Sequence, residues 1–280
     1  MQAEPGKTRA MNDTPTQPPA RSYGRKSIRL TLQPQDLMAE DAPIAGVWTA
    51  RIITLFPQAF PGVLGESLTG KALKEGKWQL ETTDLRRFGV GKHRNVDDTP
   101  AGGGAGMVLR PDVLGNAIDH VQRNTRGNCP LVYLSPRGRR FDQRLARSWA
   151  DCDGVTMLCG RFEGVDQRVL DHYDIQEVSL GDFVLTGGEI AAQAMIDATV
   201  RLLSSVLGNA ESIEEESHSN GLLEHPQYTR PAEWQGRAIP DVLMSGHHGK
   251  VAEWRQHMAE EITRARRPDM WAEYEKTKGK

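Results

Sequence analysis

The chain has 280 residues, 38% of them hydrophobic, and a formal net charge of −2. This composition allows one large domain or two smaller ones, and it excludes a uniformly basic nucleic-acid-binding protein. Any RNA-binding surface therefore has to be local. Cys129, Cys152 and Cys159 form no CxxC pair, which argues against a structural zinc site and favours a reducing cytosol. Because the sequence has no signal peptide and no membrane-length apolar run, we expect a cytoplasmic protein.

The first 46 residues are rich in Pro, Thr, Gln and Ala and have little apolar periodicity. Such a segment buries too little surface to offset the entropy of ordering it, so we expect residues 1–46 to be disordered. An alternative is that this extension is not translated, since Met38 could serve as a start codon.

From residue 47 onwards, short apolar runs alternate with helical patterns. Strands are predicted at Ala50–Phe56, Trp78–Thr83, Leu131–Ser135, Val155–Cys159 and Gln176–Leu180. Helices are predicted around residues 64–75, from Pro111 onwards, and at Phe141–Trp149, Val165–His172 and Glu189–Val206. This alternation predicts an α/β fold with a parallel sheet.

The composition changes at Gly208. The first residues after this change, 208–221 (GNAESIEEESHSNG), contain four glutamates and almost nothing apolar, so we interpret residues 208–224 as a mobile acidic linker. Residues 225–280 carry tryptophans and basic residues at helical spacing, so they are expected to form a small helical domain.

Glycines mark several candidate ligand sites. Gly65–Ala72 nearly matches a phosphate-binding P-loop, but Ala72 stands where Ser or Thr should bind Mg²⁺, so we interpret it as an ordinary helix start. Gly102–Met107 (GGGAGM) is by itself a weak signal. Three further turns, Leu134–Gly138, Gly160–Asp166 and Leu180–Gly188, follow predicted strands, where ligands bind in open α/β sheets. Each turn alone could simply end a strand, whereas together they favour one pocket for a planar ligand.

Charged residues give a second set of candidates. Arg161 and Glu163 could hold the edge of a guanine, or they could form an exposed ion pair of little energy. Asp197 and Arg201 are spaced i, i+4 on an apolar helix, for which structural pairing is the commoner explanation. Between Arg86 and Arg147 there are twelve Lys or Arg against five Asp, an excess that favours a polyanionic partner.

Seven motifs in order resemble the bacterial tRNA (guanine-37-N1)-methyltransferases, the TrmD family of the SPOUT class. They are ITLFP (53–57), HRNVDD (93–98), GGGAGM (102–107), YLSPRGR (133–139), CGRFEGVD (159–166), GDFVLTGGE (181–189) and HPQYTRP (225–231). The resemblance implies S-adenosylmethionine as methyl donor, tRNA as partner and guanine 37 as target. It also implies a trefoil knot within residues 47–207, a tRNA-binding role for residues 225–280, and a homodimer whose active site lies between subunits.

The same resemblance assigns roles to individual residues. The methyl-donor pocket would comprise Tyr133, Leu134, Ser135, Pro136, Gly160, Leu180, Gly181, Asp182, Phe183, Val184, Leu185, Gly187 and Gly188. The guanine would meet His93, Gly106, Arg161 and Glu163, and Arg201 would assist catalysis. No metal ligand is assigned, and a requirement for Mg²⁺ stays open.

The general base departs from the family pattern. The family carries an aspartate just before a serine in the linker, and here that place holds Glu216, with Glu215 as the neighbouring alternative. The extra methylene moves the carboxylate by about 1.5 Å. A non-catalytic RNA-binding protein with the same fold, and a methyltransferase acting on a ribose 2′-OH or on ribosomal RNA, remain the competing interpretations.

Overall fold

The computed structural model describes residues 46–204, 206, 217, 218 and 220–278, all within one compact unit. The strands are β1 Thr49–Thr54, β2 Gln79–Asp84, β3 Asp97–Asp98, β4 Val108–Leu109, β5 Leu131–Arg140, β6 Gly154–Cys159, β7 Gln176–Ser179, β8 Glu233–Trp234 and β9 Arg237–Ala238. The helices are α1 Ser67–Lys74, α2 Pro111–Asn124, α3 Gln143–Ala150, α4 Gln167–His172, α5 Glu189–Val200, α6 Asp241–Met244, α7 His248–Arg266 and α8 Pro268–Lys278.

Five of these strands form one sheet in the order β2-β1-β6-β5-β7, and every neighbouring pair is parallel. The predicted α/β fold with a parallel sheet is therefore confirmed. All six residues of β1 and all six of β6 are buried, as expected for central strands covered on both faces. One apolar layer includes Trp78, Trp149 and Met195, and the other includes Leu114 and Ile118.

Two predicted boundaries were wrong. The turn expected at residues 134–138 lies inside β5, which continues through Pro136 to Arg140 with a register irregularity between Leu134 and Arg139. Proline has no N–H to give to the ladder, so the strand leaves its regular pairing there and resumes it afterwards. Helix α5 ends at Val200 rather than at 206, and the amides of Leu202, Leu203 and Val206 bond three residues back in tighter turns.

The C-terminal segment is helical as predicted, but it also contains the short antiparallel hairpin β8–β9, which was not predicted. Helices α7 and α8 pack together through Glu260, which accepts hydrogen bonds from Tyr274 and Lys278. Most of the predicted linker and nearly all of the N-terminal extension lie outside the described residues, and the proposed domain division stays a prediction. No helix in the described part of the chain is both long enough and apolar enough to cross a membrane.

Candidate active site

A cavity of about 350 Å³ lies at the carboxyl ends of β5, β6 and β7. The three glycine-containing segments singled out in the sequence meet around it. Eleven of the thirteen residues expected to form the donor pocket line this cavity: Tyr133, Leu134, Ser135, Pro136, Gly160, Leu180, Phe183, Val184, Leu185, Gly187 and Gly188. The structure therefore gathers residues up to 55 positions apart at one edge of the sheet, as ligand sites in open α/β folds require.

Gly181 and Asp182 are the two that do not line the cavity. Gly181 is buried against Ser179, whose hydroxyl donates to the Gly181 carbonyl and accepts from its N–H. Asp182 is exposed. Both residues therefore shape the loop after β7 rather than the inner surface of the cavity.

Two glycines let the backbone form a thin wall. The Gly188 N–H donates to the Gly160 carbonyl at 3.1 Å, which ties the start of α5 to the end of β6. A Cβ on Gly188 would lie 2.8 Å from the Cα of Cys159, and one on Gly160 would lie 2.6 Å from the ring of Tyr133. Only glycine allows these approaches without displacement of the neighbours, and the wall that results suits a flat ligand such as adenine.

Two potential nucleophiles, Tyr133 in the cavity lining and Cys159 at the end of β6, are kept neutral. Burial raises the pKa of the Tyr133 phenol. Burial, reinforced by the nearby Glu189 carboxylate, raises the pKa of the Cys159 thiol well above its ordinary value. Because the thiolate is the reactive form of cysteine, this site is not built for covalent catalysis by Cys159.

Arg161 lies at the cavity, but its partner is not the one considered in the sequence. Its guanidinium Nη2 is 2.8 Å from a carboxylate oxygen of Glu189, at the start of α5. Its Nη1 donates to the Thr186 carbonyl at 3.2 Å, and its carbon lies 4.4 Å from the centre of the Phe56 ring. The sequence reasoning missed Glu189, because an acidic residue in the first turn of a helix is common and needs no partner.

Glu163 faces the same cavity and lies beside the glycine-rich loop. Its backbone N–H donates to the Met107 carbonyl at 2.9 Å, and a Cβ on Gly106 would lie 2.5 Å from the Glu163 side chain. Among the described residues, the Glu163 carboxylate has no hydrogen-bond or ion-pair partner. Gly106 thus adjoins the site through Glu163, although it does not line the cavity itself.

The remaining predicted residues lie elsewhere. His93 is exposed in the turn that joins Val90 to Asn95. Arg201 follows the last residue of α5 and donates its N–H to the Asp197 carbonyl at 3.2 Å. Neither lines the cavity, and Glu215 and Glu216 fall outside the described residues. In the described part of the chain, no cluster of three or more His, Cys, Asp or Glu side chains could hold a metal ion.

The fold and the cavity together define an α/β protein with a nucleoside-sized, backbone-walled pocket at the carboxyl edge of a parallel sheet. Residues 49–273 match the model of the tRNA (guanine-1)-methyltransferase TrmD family. The chain belongs to this family, as the ordered motifs predicted.

Relatives match over nearly their entire lengths. A tRNA (guanine-N(1)-)-methyltransferase of Ruegeria sp. (strain TM1040) is 73% identical over 243 residues, which cover 87% of this chain and 100% of the relative. The protein of the same name from Ruegeria pomeroyi is 76% identical over 86% of this chain and 99% of its own length. The protein of the same name from Roseobacter denitrificans is 69% identical over 84% of this chain and 98% of its own length.

Proposed function

We propose that this chain transfers a methyl group from S-adenosylmethionine to N1 of guanine 37 in the tRNA anticodon loop, and so helps to maintain the reading frame. One observation carries the proposal: the chain matches the tRNA (guanine-1)-methyltransferase family over residues 49–273, and motifs of that match converge on one cavity. The relatives described above carry the name of the same activity.

The cavity suits the proposed donor. Its volume of about 350 Å³ lies within the range of small-ligand sites. The wall at Gly160 and Gly188 would hold the adenosine part, with Tyr133 and Leu185 beside it. When bound, S-adenosylmethionine supplies an electrophilic sulfonium methyl group, so the protein needs no nucleophile of its own, consistent with a neutral Cys159.

The guanine side of the reaction needs charged groups. Guanine N1 carries a weakly acidic proton that has to leave as N1 attacks the methyl group. We assign its removal to Glu216, with Glu215 as the alternative. Arg201 would stabilise the negative charge that develops on the base, with Arg161 as a second contributor. Glu163 would accept hydrogen bonds from the guanine edge, and the base would be flipped out of a single-stranded loop.

Exposed arginines support binding of a polyanion. The side chains of Arg144 and Arg137 are 90% and 63% exposed, and within the described part of the chain each forms an ion pair with one carboxylate, Asp142 and Glu177 respectively. They belong to the basic segment identified in the sequence. Residues 225–280 would contribute a second tRNA-binding surface, and His93 a contact near the target base.

Three further properties are proposed on the family resemblance. They are a trefoil knot, a cytoplasmic location, and a homodimer with the active site between subunits. Exposed apolar side chains on neighbouring elements support the homodimer, since Val63, Leu68 and Ile190 are 67%, 57% and 62% exposed. A Mg²⁺ requirement would have to involve substrate groups or residues outside the described part of the chain.

The reaction is tested with the purified full chain, S-adenosylmethionine and two tRNA transcripts that differ only in guanine or adenine at position 37. Nucleoside mass spectrometry should show 1-methylguanosine with the first transcript alone. A ribose-methylated product would overturn the proposal in favour of a different methyltransferase. No product and no donor binding at millimolar concentration would favour a non-catalytic RNA-binding protein.

The base is tested by Glu216→Ala, with Glu211→Ala as a control in the same segment. Glu216→Ala should slow single-turnover methyl transfer by about 10²-fold or more while the donor Kd, measured by calorimetry, stays within twofold. Glu211→Ala should change neither quantity. A wild-type rate in Glu216→Ala would remove Glu216 from the mechanism and direct attention to Glu215.

A further inference from the structure

Glu189 is a buried acidic residue that directly follows the cavity residues Gly187 and Gly188 but does not itself line the cavity. It is 4% exposed in the first turn of α5. One carboxylate oxygen accepts a hydrogen bond from the Thr54 hydroxyl at 2.7 Å, and the other lies 2.8 Å from Arg161 Nη2. A carboxylate removed from water is costly unless such partners are present, so its location requires both contacts.

Arg161 is held from several sides. Besides Glu189, the Thr186 carbonyl and the Phe56 ring fix the plane of its guanidinium. The side chain also crosses Gly187, where a Cβ would lie 2.2 Å from Arg161 Nε. That Nε is buried and has no acceptor among the described residues.

This arrangement separates two opposite charges that are neighbours in sequence. Arg161 and Glu163 lie in the same turn after β6 and both line the cavity. Arg161 pairs with Glu189 instead, and the Glu163 carboxylate has no partner among the described residues. A carboxylate already paired with arginine would be a poor acceptor for guanine N–H groups, because the guanidinium occupies its lone pairs.

We propose that Glu189 is a positioning residue that holds Arg161 in place and away from Glu163, which leaves Glu163 open to guanine. Glu189 acts through Arg161, and its own carboxylate does not touch the substrate. The inference rests on the proposed function, because it takes Arg161 and Glu163 to be the groups that meet the base.

The first test compares two nearly isosteric variants, Glu189→Gln and Thr54→Val. Glu189→Gln removes the charge that holds Arg161 and should lower kcat/KM for tRNA by about 10²-fold, as expected for a misplaced binding group. The donor Kd should stay within twofold. Thr54→Val loses the hydrogen bond to Glu189 and the one accepted from the Phe56 N–H but keeps the ion pair, so its kcat/KM should fall less than tenfold. Equal losses in both variants, or a tenfold weaker donor Kd in Glu189→Gln, would indicate general damage to the pocket and overturn the proposal.

The second test repeats Glu189→Gln in a Glu163→Gln background, under single-turnover conditions with enzyme in excess. Without the Glu163 charge the released Arg161 can no longer neutralise that carboxylate, and only its own contact with the base is lost. The rate and the tRNA Kd should therefore change by about tenfold or less on adding Glu189→Gln. The full ~10²-fold loss in both backgrounds would show that Glu189 acts independently of Glu163 and would refute the inference.

Glu189→Asp covers the case in which Glu189→Gln does not fold. It keeps the charge but shortens the side chain by about 1.5 Å, so the carboxylate cannot reach both partners. We expect a kcat/KM for tRNA about tenfold below wild type with an unchanged donor Kd, and a wild-type value would overturn the proposal. A wild-type chain that forms no 1-methylguanosine would instead refute the proposed function, so the two failures are distinguishable.

Discussion

Gly188→Ala is the sharpest test of the backbone wall, because the atoms that a new Cβ would meet belong mainly to the main chain. The Cβ would lie 2.8 Å from the Cα of Cys159, 3.1 Å from its Cβ and 3.3 Å from the Gly160 nitrogen. These atoms sit at the end of β6 and cannot move away by a rotamer change. Helix α5 and β6 would therefore have to separate.

The size of the effect follows from these distances. Ordinary contact begins near 3.4 Å, so the two backbones have to move apart by roughly half an ångström, and overpacking of this kind costs ~1–3 kcal/mol. The same movement weakens the hydrogen bond from Gly188 to Gly160 and widens the cavity at this wall. We expect the donor Kd to rise at least about tenfold, which corresponds to ~1.4 kcal/mol.

The assay is calorimetric titration with S-adenosylmethionine, accompanied by a thermal melt. Gly249→Ala is the matched control, since its Cβ would meet no atom within 4 Å and the residue lies in the first turn of α7. That variant should bind the donor normally and melt at or slightly above the wild-type temperature. A folded Gly188→Ala protein with wild-type donor affinity would refute the proposal that this wall holds the donor.

Three further predictions concern the RNA side and the C-terminal helices. Gly106→Ala should raise KM for tRNA about tenfold without affecting donor binding, because its Cβ would meet the Glu163 side chain, whereas Gly104→Ala, which also places alanine at a positive φ but in open space, should raise it less. The logarithm of the tRNA association constant should fall with the logarithm of salt concentration with a slope steeper than about −2, and a flat response would contradict a phosphate-binding surface. The hydrogen bond from Lys278 lowers the pKa of Glu260 to about 2, so Glu260→Gln should cost about 1 kcal/mol of unfolding free energy at pH 7. A lowered carboxyl pKa contributes its full stabilisation above the unfolded value near 4.5 and loses it as the pH falls towards the folded value. This difference should therefore shrink between pH 4.5 and 2, and urea titrations that give the same difference at pH 7 and pH 3 would contradict it.

The sequence predicted the sheet because its central strands are short, mainly apolar runs without regular alternation. Buried parallel strands such as β1 and β6 need no alternation, and their ends are marked by glycine or proline. It also predicted that three segments would share a pocket, since carboxyl ends of parallel strands meet at one edge. It could not predict the path of β5 through Pro136, where pairing with Val178 and its neighbours decides whether the chain turns or continues.

The ion pair between Arg161 and Glu189 was beyond sequence reasoning for a different reason. The two residues are in separate elements, and Glu163 is a nearer acidic neighbour of Arg161 along the chain. Only tertiary packing, which places the start of α5 against the end of β6, selects Glu189. Prediction of ion pairs from spacing along the sequence is therefore least reliable at a site where several elements converge.

The segment ITLFP illustrates how residues outside a cavity can still determine its chemistry. None of its residues lines the pocket. Yet the Thr54 hydroxyl orients the Glu189 carboxylate, and the Phe56 ring supports the Arg161 guanidinium. The Arg86 guanidinium lies 5.5 Å from the centre of the same ring and donates to the Leu55 carbonyl. Because β1 is the buried strand next to β6, it provides a rigid base for a charge carried on the turn after β6. The motif is thus a support for the turn that carries Arg161 and Glu163, and on the proposed function its substitution should affect tRNA recognition before it affects donor binding.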